Sequence, residues 1–230
     1  MHRFAALVVL AGLAAAPISA ASPEAGNGAK TGFRSPYFAA TVPGSWSRYA
    51  MTSGGKTESN YTYRRLPDTD GRTQVAVRTE FTAGEFQGTW STNRYVLAKS
   101  YRFGDDALSF MKNCERLFMQ TDKMQEEMET PEATLPYIVK AGIDYAASVR
   151  YAGTETIEGR TCDHYTYHYV SSEENTTTYD GELWMNPDVP FGLVRESAKL
   201  AMKTGPGSSY TMTLVATGKD SEQPSSEKPK

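Results

Sequence analysis

The chain has 230 residues, 39% of them hydrophobic, with 24 Lys and Arg against 27 Asp and Glu, a net charge of −3, and two cysteines. A weakly acidic chain with no basic stripe is a poor match for phosphate backbones, which excludes nucleic acid as a partner and disfavours anionic membrane surfaces. The length suits one domain with a substantial core, or at most two small ones.

Residues 1–20 read as a secretory signal peptide. Arg3 supplies the positive start, residues 4–16 form an apolar run, and Ile18-Ser19-Ala20-Ala21 offers small residues for cleavage. The run is about a dozen residues, short of the roughly 20 that a permanent helical span needs. No permanent membrane span is therefore expected, and the mature protein should be periplasmic or secreted. No Cys follows the small-residue site, so a lipid-modified N-terminus is not indicated. Loss of Arg3 with the leader leaves 23 basic against 27 acidic groups, a balance of −4. Residues 21–32 are rich in Ala, Gly, Ser and Pro without apolar periodicity and read as a flexible segment. Residues 218–230 read as a disordered polar tail. Between these ends no repeat or linker divides the chain, and residues 33–217 are expected to form a single domain.

From 45 to 103 apolar and aromatic residues alternate with polar ones, broken at Ser53-Gly54-Gly55, at 67–71 and at Ala83-Gly84. Such breaks are hairpin punctuation, and four to six antiparallel strands are expected. Trp46, Tyr49, Tyr61, Tyr63, Val75, Val77, Phe81, Phe86 and Trp90 dominate them, the residue types that fit a pleated, half-buried surface. The period then changes. Over 105–129, Ala107, Phe110, Met111, Cys114, Leu117, Phe118, Thr121, Met124 and Met128 recur at helical spacings, which predicts one long amphipathic, Met-rich helix. A second, shorter helix is expected from Thr130-Pro131 to about Ala141, interrupted by Pro136 and ended by Gly142. Strands return at 144–151, 154–158, 160–170, 177–185, 191–202 and 209–217. Asn186-Pro187-Asp188 is a turn former between two of them. Strands, then helices, then strands give an α+β fold: a curved antiparallel sheet, an incomplete β-barrel, covered by one long and one short helix.

Catalytic signatures are weak. The densest polar cluster is 162–169, where period-two alternation puts Cys162, His164, Thr166 and His168 on one face and Asp163, Tyr165, Tyr167 and Tyr169 on the other. A Cys/His set on one face is a candidate for Zn²⁺ or Cu²⁺. His164 and His168 lie roughly 13 Å apart along a strand, however, too far to share one ion. No metal and no cofactor is expected. No Gly-x-Ser-x-Gly elbow and no phosphate loop occurs, so the chain is read as a non-enzyme. Cys114 and Cys162 are the two cysteines. In an oxidising compartment they read either as one disulfide, worth about 4 kcal/mol in the chain-entropy model, or as two small buried hydrophobes.

Residues 154–165, Gly181-Glu182-Leu183-Trp184 and 189–195, in the last third of the chain, resemble exported bacterial proteins of the periplasmic lipoprotein-carrier (LolA/LolB-like) superfamily. That resemblance implies an incomplete antiparallel barrel covered by helices, with a hydrophobic cavity between sheet and plug. Its members include lipoprotein chaperones and a lipid-sensing regulator. The aromatic strands agree with a concave apolar pocket. Trp46, Tyr61, Trp90, Met111, Phe118 and Trp184 are the expected lining of a site for a lipid or other apolar small molecule. The alternative is an envelope protein-interaction or regulatory module whose concavity is filled by its own side chains.

Overall fold

The computed structural model describes residues 41–101, 107–171, 176–203 and 206–220. The expected leader, the segment 21–32 and the tail beyond Asp220 lie outside them.

The strands are β1 (Ser45–Ser53), β2 (Lys56–Thr69), β3 (Arg72–Phe81), β4 (Trp90–Leu97), β5 (Cys114–Thr121), β6 (Met128–Glu129), β7 (Val149–Ile157), β8 (Arg160–Val170), β9 (Thr177–Met185), β10 (Leu193–Met202) and β11 (Ser208–Lys219). Two helices are described, α1 (Ala107–Lys112) and α2 (Leu135–Ser148). All eleven strands form one open antiparallel sheet in the order β6-β5-β4-β3-β2-β1-β11-β10-β9-β8-β7. Each half is a meander, and β1 zips the halves together by pairing with β11. The chain passes from the edge strand β6 to the opposite edge β7 through α2, which packs on β5 and on β8. An element touching strands near both edges requires the sheet to curl around it.

Of the six strands expected in the second meander, 160–170, 177–185, 191–202 and 209–217 are found within a residue or two, whereas those at 144–151 and 154–158 are one strand, β7, irregular between Tyr151 and Gly153. Turn chemistry explains this legibility. Ile157 pairs with Arg160 across Glu158-Gly159, whose φ values of 51° and 75° are those of a type I′ hairpin turn. The break expected at 67–71 is narrower. Asp70-Gly71 alone turns the chain, and Pro67 sits inside β2 where the ladder with β3 is irregular, a position that needs no N–H. At its far end β11 runs two residues beyond the expected limit, because Gly218 and Lys219 pair with Trp46 and Ser45.

The helices differ from expectation. Of the predicted 105–129 helix, 105 and 106 lie outside the described residues; among those described only Ala107–Lys112 is helical, and Cys114–Thr121 is a strand. The apolar residues there satisfy both periods. Pairing with β4 decides between them, placing Leu117 opposite Tyr95 in the core and turning Arg116 and Phe118 to the other face. The expected short helix is the longer one. Pro136 lies in the first turn of α2, where its missing N–H has no helical partner to lose. Gly142 is carried in the helix interior, so the strand expected at 144–151 begins only at Val149.

The face covered by the helices is the inner face. Its core joins Tyr49, Tyr61, Tyr63, Val77, Tyr95 and Leu97 of the first half to Tyr165, Tyr167, Tyr169, Leu183 and Leu193 of the second, with Phe110 and Met111 of α1 and Tyr145 of α2 packed on them. Leu135, Ile138, Val139 and Tyr145 recur at helical spacing, which gives α2 its apolar stripe. A smaller cluster of Cys162, Trp184, Val189 and Val194 occupies the outer face.

Candidate functional site

Across the middle of the inner face one row of cross-strand neighbours runs Tyr165, Leu183, Glu196, Met212, Met51 and Ser59. Glu196 stands out in it as a fully buried carboxyl. Tyr167 Oη donates to its Oε1 at 2.7 Å and Tyr210 Oη to the same oxygen at 2.8 Å. The hydroxyl of Tyr145, from α2, lies on the same group. Oε2 is buried with no hydrogen-bond partner among the described residues. Burial disfavours the ionised form and pushes the carboxyl up to about 7, against the tyrosine hydroxyls that pull it down.

Two features of the sequence put Glu196 there. Leu193 pairs with Met185 and Arg195 with Trp184, so Val194 is an extra residue, a β-bulge. Leu193 faces inward; regular alternation from it would turn Glu196 outward, and the bulge returns it to the core. Gly181 is the second feature. A Cβ at this position would come within 2.3 Å of Cζ of Tyr167, so only glycine lets that ring lie across β9 to reach Glu196 on β10.

Further along β10 the inner face opens. Ala198 and Leu200 follow Glu196 on the same side, with Tyr210 and Tyr179 as their cross-strand neighbours. Met51, Tyr179, Leu200 and Tyr210 pack on the core but are only half-buried, as are Ile138 and Ile143 of α2. All six leave apolar surface partly exposed beside the core; on the sheet, Met51 shares the row of the buried carboxyl, and Tyr210 and Tyr179 lie one and two rows along the same face.

The residues expected to line the concavity divide between the two faces. Tyr61 and Met111 face the inner core, at 3% and 0% exposure. Trp46, Trp90, Phe118 and Trp184 lie on the outer face. Trp46 covers Gly218, Arg78 sits 4.3 Å over the Trp90 ring, and Arg94 and Arg116 flank Phe118 at 4.1 and 4.6 Å. Trp184 stacks flat on His164, with centroids 4.9 Å apart, and donates its indole N–H to Glu155 at 2.8 Å. Trp90, Phe118 and Trp184 share one physical reason: large aromatics on an open sheet's outer face bury their area under guanidinium and imidazole groups instead of under helices.

Of the two readings of the cysteines, the structure carries the second. Both are free thiols. Cys114 packs on the inner core and Cys162 in the outer cluster, so the sheet separates them. Burial pushes Cys114 up to about 12 and raises Cys162, which leaves both protonated and unreactive at neutral pH. The expected division of 162–169 between faces is found, and the two histidines are engaged separately: His164 Nδ1 lies 3.1 Å from Glu155, and His168 Nδ1 lies 2.6 Å from Asp180. No group of three His, Cys, Asp or Glu side chains among the described residues is arranged to hold a metal ion.

No protein-family model matches the chain, and no curated protein matches it. Solved structures that align with it include a proposed exported protein of YmcC-like fold from Bacteroides fragilis, with 15% identity, 78% of this chain and 97% of the other covered, and a TM-score of 0.39. A candidate outer membrane lipoprotein-sorting protein domain from Vibrio parahaemolyticus aligns over 81% of this chain and 90% of its own at 8% identity and a TM-score of 0.31. A LolA superfamily protein from Nitrosomonas europaea aligns over 82% and 92% at 10% identity and a TM-score of 0.26. The superfamily resembled by the last third of the sequence is thus represented among them. At these scores and identities none assigns a function to this chain.

Proposed function

We propose that this chain is an exported, periplasmic or secreted, non-enzymatic protein that holds a lipid or other apolar ligand between the inner face of its half-barrel and α2. Export rests on the leader-like residues 1–20. Among the described residues no helix is long and apolar enough to cross a membrane. The observation that carries the binding reading is the half-buried apolar surface of Met51, Tyr179, Leu200 and Tyr210 on the sheet and of Ile138 and Ile143 on α2, each packed on the aromatic core. An apolar surface left partly exposed where a helix meets a sheet is where a chain-like ligand adds burial without displacing the core.

The second reading, a partner-binding module with a self-filled interior, is favoured by the near-complete burial of Tyr61 and Met111. The test is native mass spectrometry of mature protein recovered from a periplasm, followed by solvent extraction, together with titration by N-phenyl-1-naphthylamine, a dye that brightens in apolar sites. A near-stoichiometric lipid, or dye binding that falls at least tenfold in a folded Ile138→Asp variant, supports the ligand reading. A bare polypeptide mass with no dye binding overturns it in favour of the self-filled module.

A further inference from the structure

We propose that the ligand of the half-barrel carries a hydrogen-bond-donating head, an amine or hydroxyl on an apolar chain, which docks on Oε2 of Glu196. This rests on the ligand-binding reading above and adds the chemistry of the head group.

A buried carboxylate oxygen without a partner is costly, because desolvation is not offset by a hydrogen bond. At Glu196 the fold sustains that cost with two specific devices, the Val194 bulge and the glycine that admits Tyr167. The Tyr167 and Tyr210 bonds converge on Oε1, which is thereby fixed in place with the Tyr145 hydroxyl beside the group, while Oε2 has no hydrogen-bond partner among the described residues. A donor brought to Oε2 recovers what burial forfeits, and a charge-assisted N–H or O–H to carboxylate bond is roughly twice as strong as a neutral one. The half-buried apolar surface of the sheet lies along the same strand face as Glu196, so a chain seated on Leu200, Tyr179 and Met51 puts its end group within a few residues' rise of the carboxyl.

Charge excludes the opposite class of ligand. The one other buried charged side chain among the described residues is Arg65. Its guanidinium is committed to Asp68, to Thr73 Oγ1 at 3.3 Å and to the carbonyls of Leu66 and Gln74. Among the described residues the inner face therefore offers a buried acid and no second buried base, and a fatty-acid carboxylate or a phosphate would meet repulsion at Glu196 with no buried counter-charge among them to compensate.

The experiment is competition against N-phenyl-1-naphthylamine on the mature full chain at pH 8, using dodecylamine, dodecanol and laurate, which share one chain length and differ in head group. Dodecylamine should displace the dye on the order of tenfold or more below the concentration needed for laurate, with dodecanol between them. Glu196→Gln should bring the three within about threefold of one another, each concentration being read relative to that variant's own affinity for the dye. Glu196→Met, an apolar replacement of similar length, checks the result should the Gln variant fail to fold, and the wild-type order decides alone should both fail. Laurate competing as well as dodecylamine in the wild type, or a preference for the amine that survives both substitutions, overturns the proposal. Absence of dye binding in the wild type instead removes the ligand reading beneath it, so the two failures are distinguishable.

Discussion

Replacing Glu196 by Gln should abolish a pH dependence of stability that belongs to this one side chain. The carboxyl is raised from 4.5 to about 7 by burial, so between those values the native state holds a proton that the unfolded chain has released. Stability from this group is fully present below about 4.5, falls as pH rises through about 7, and is constant above. Each tenfold difference in proton affinity is worth about 1.4 kcal/mol, so the fall between pH 4.5 and 8 comes to about 3 kcal/mol. Gln keeps an acceptor for Tyr167 and Tyr210 and carries no charge at any pH, so its curve lacks this component. The assay is urea unfolding of both proteins across that range, followed by tyrosine and tryptophan fluorescence, with the wild-type minus variant difference read at each pH so that all other groups cancel. A difference flat to within about 0.5 kcal/mol would show that the carboxyl is not held in a buried, unionised state. A difference of the opposite sign would mean that the tyrosine bonds outweigh desolvation.

The other expectations concern packing and the outer face. Gly181→Ala should destabilise by roughly 2 kcal/mol in the same unfolding assay, since the new methyl displaces the Tyr167 ring and its bond to Glu196; stability within about 0.5 kcal/mol of wild type would show that the ring has room to move. Thiol titration in denaturant without reductant should find two free sulfhydryls per chain, as their separation by the sheet requires; a value near zero would place the two sulfurs in contact. Trp90→Ala and Phe118→Ala should leave N-phenyl-1-naphthylamine affinity within about twofold, because both rings lie under arginines on the outer face. A tenfold loss in either would mean that the dye binds outside the half-barrel.

How much of this was legible in the sequence follows from which signals are local. Hairpins with Gly turns and alternating aromatics, such as β7 to β9, depend on neighbours a few residues away, and their limits could be read closely. Residues 114–121 could not, because Cys114, Leu117, Phe118 and Thr121 satisfy a helical stripe as well as the strand that β4 makes of them, and the deciding contact is with residues about 20 positions earlier. Pro136 and Gly142 misled for a related reason, since a helix first turn tolerates Pro and a packed helix interior tolerates Gly. The alternation in 162–169 did assign faces correctly, but nothing local said which face the helices would cover, so the tryptophans were placed on the wrong side.

Glu196 was hidden by a different mechanism. Counting alternate residues from the inward Leu193 turns Glu196 to solvent, where an acidic residue needs no explanation, and only the cross-strand register exposes Val194 as supernumerary. A trace did exist: Gly181 inside an otherwise well-formed strand is the mark of a close approach by another group. That group is Tyr167, and the reason for its approach is the carboxyl two strands away. A buried acid, a bulge and a strand glycine are each unfavourable alone, and here all three serve one side-chain position. Such convergence of local costs on one point is the pattern expected of a site kept for binding and not for stability. It is also why the pH dependence and the head-group preference should disappear together when Glu196 is replaced.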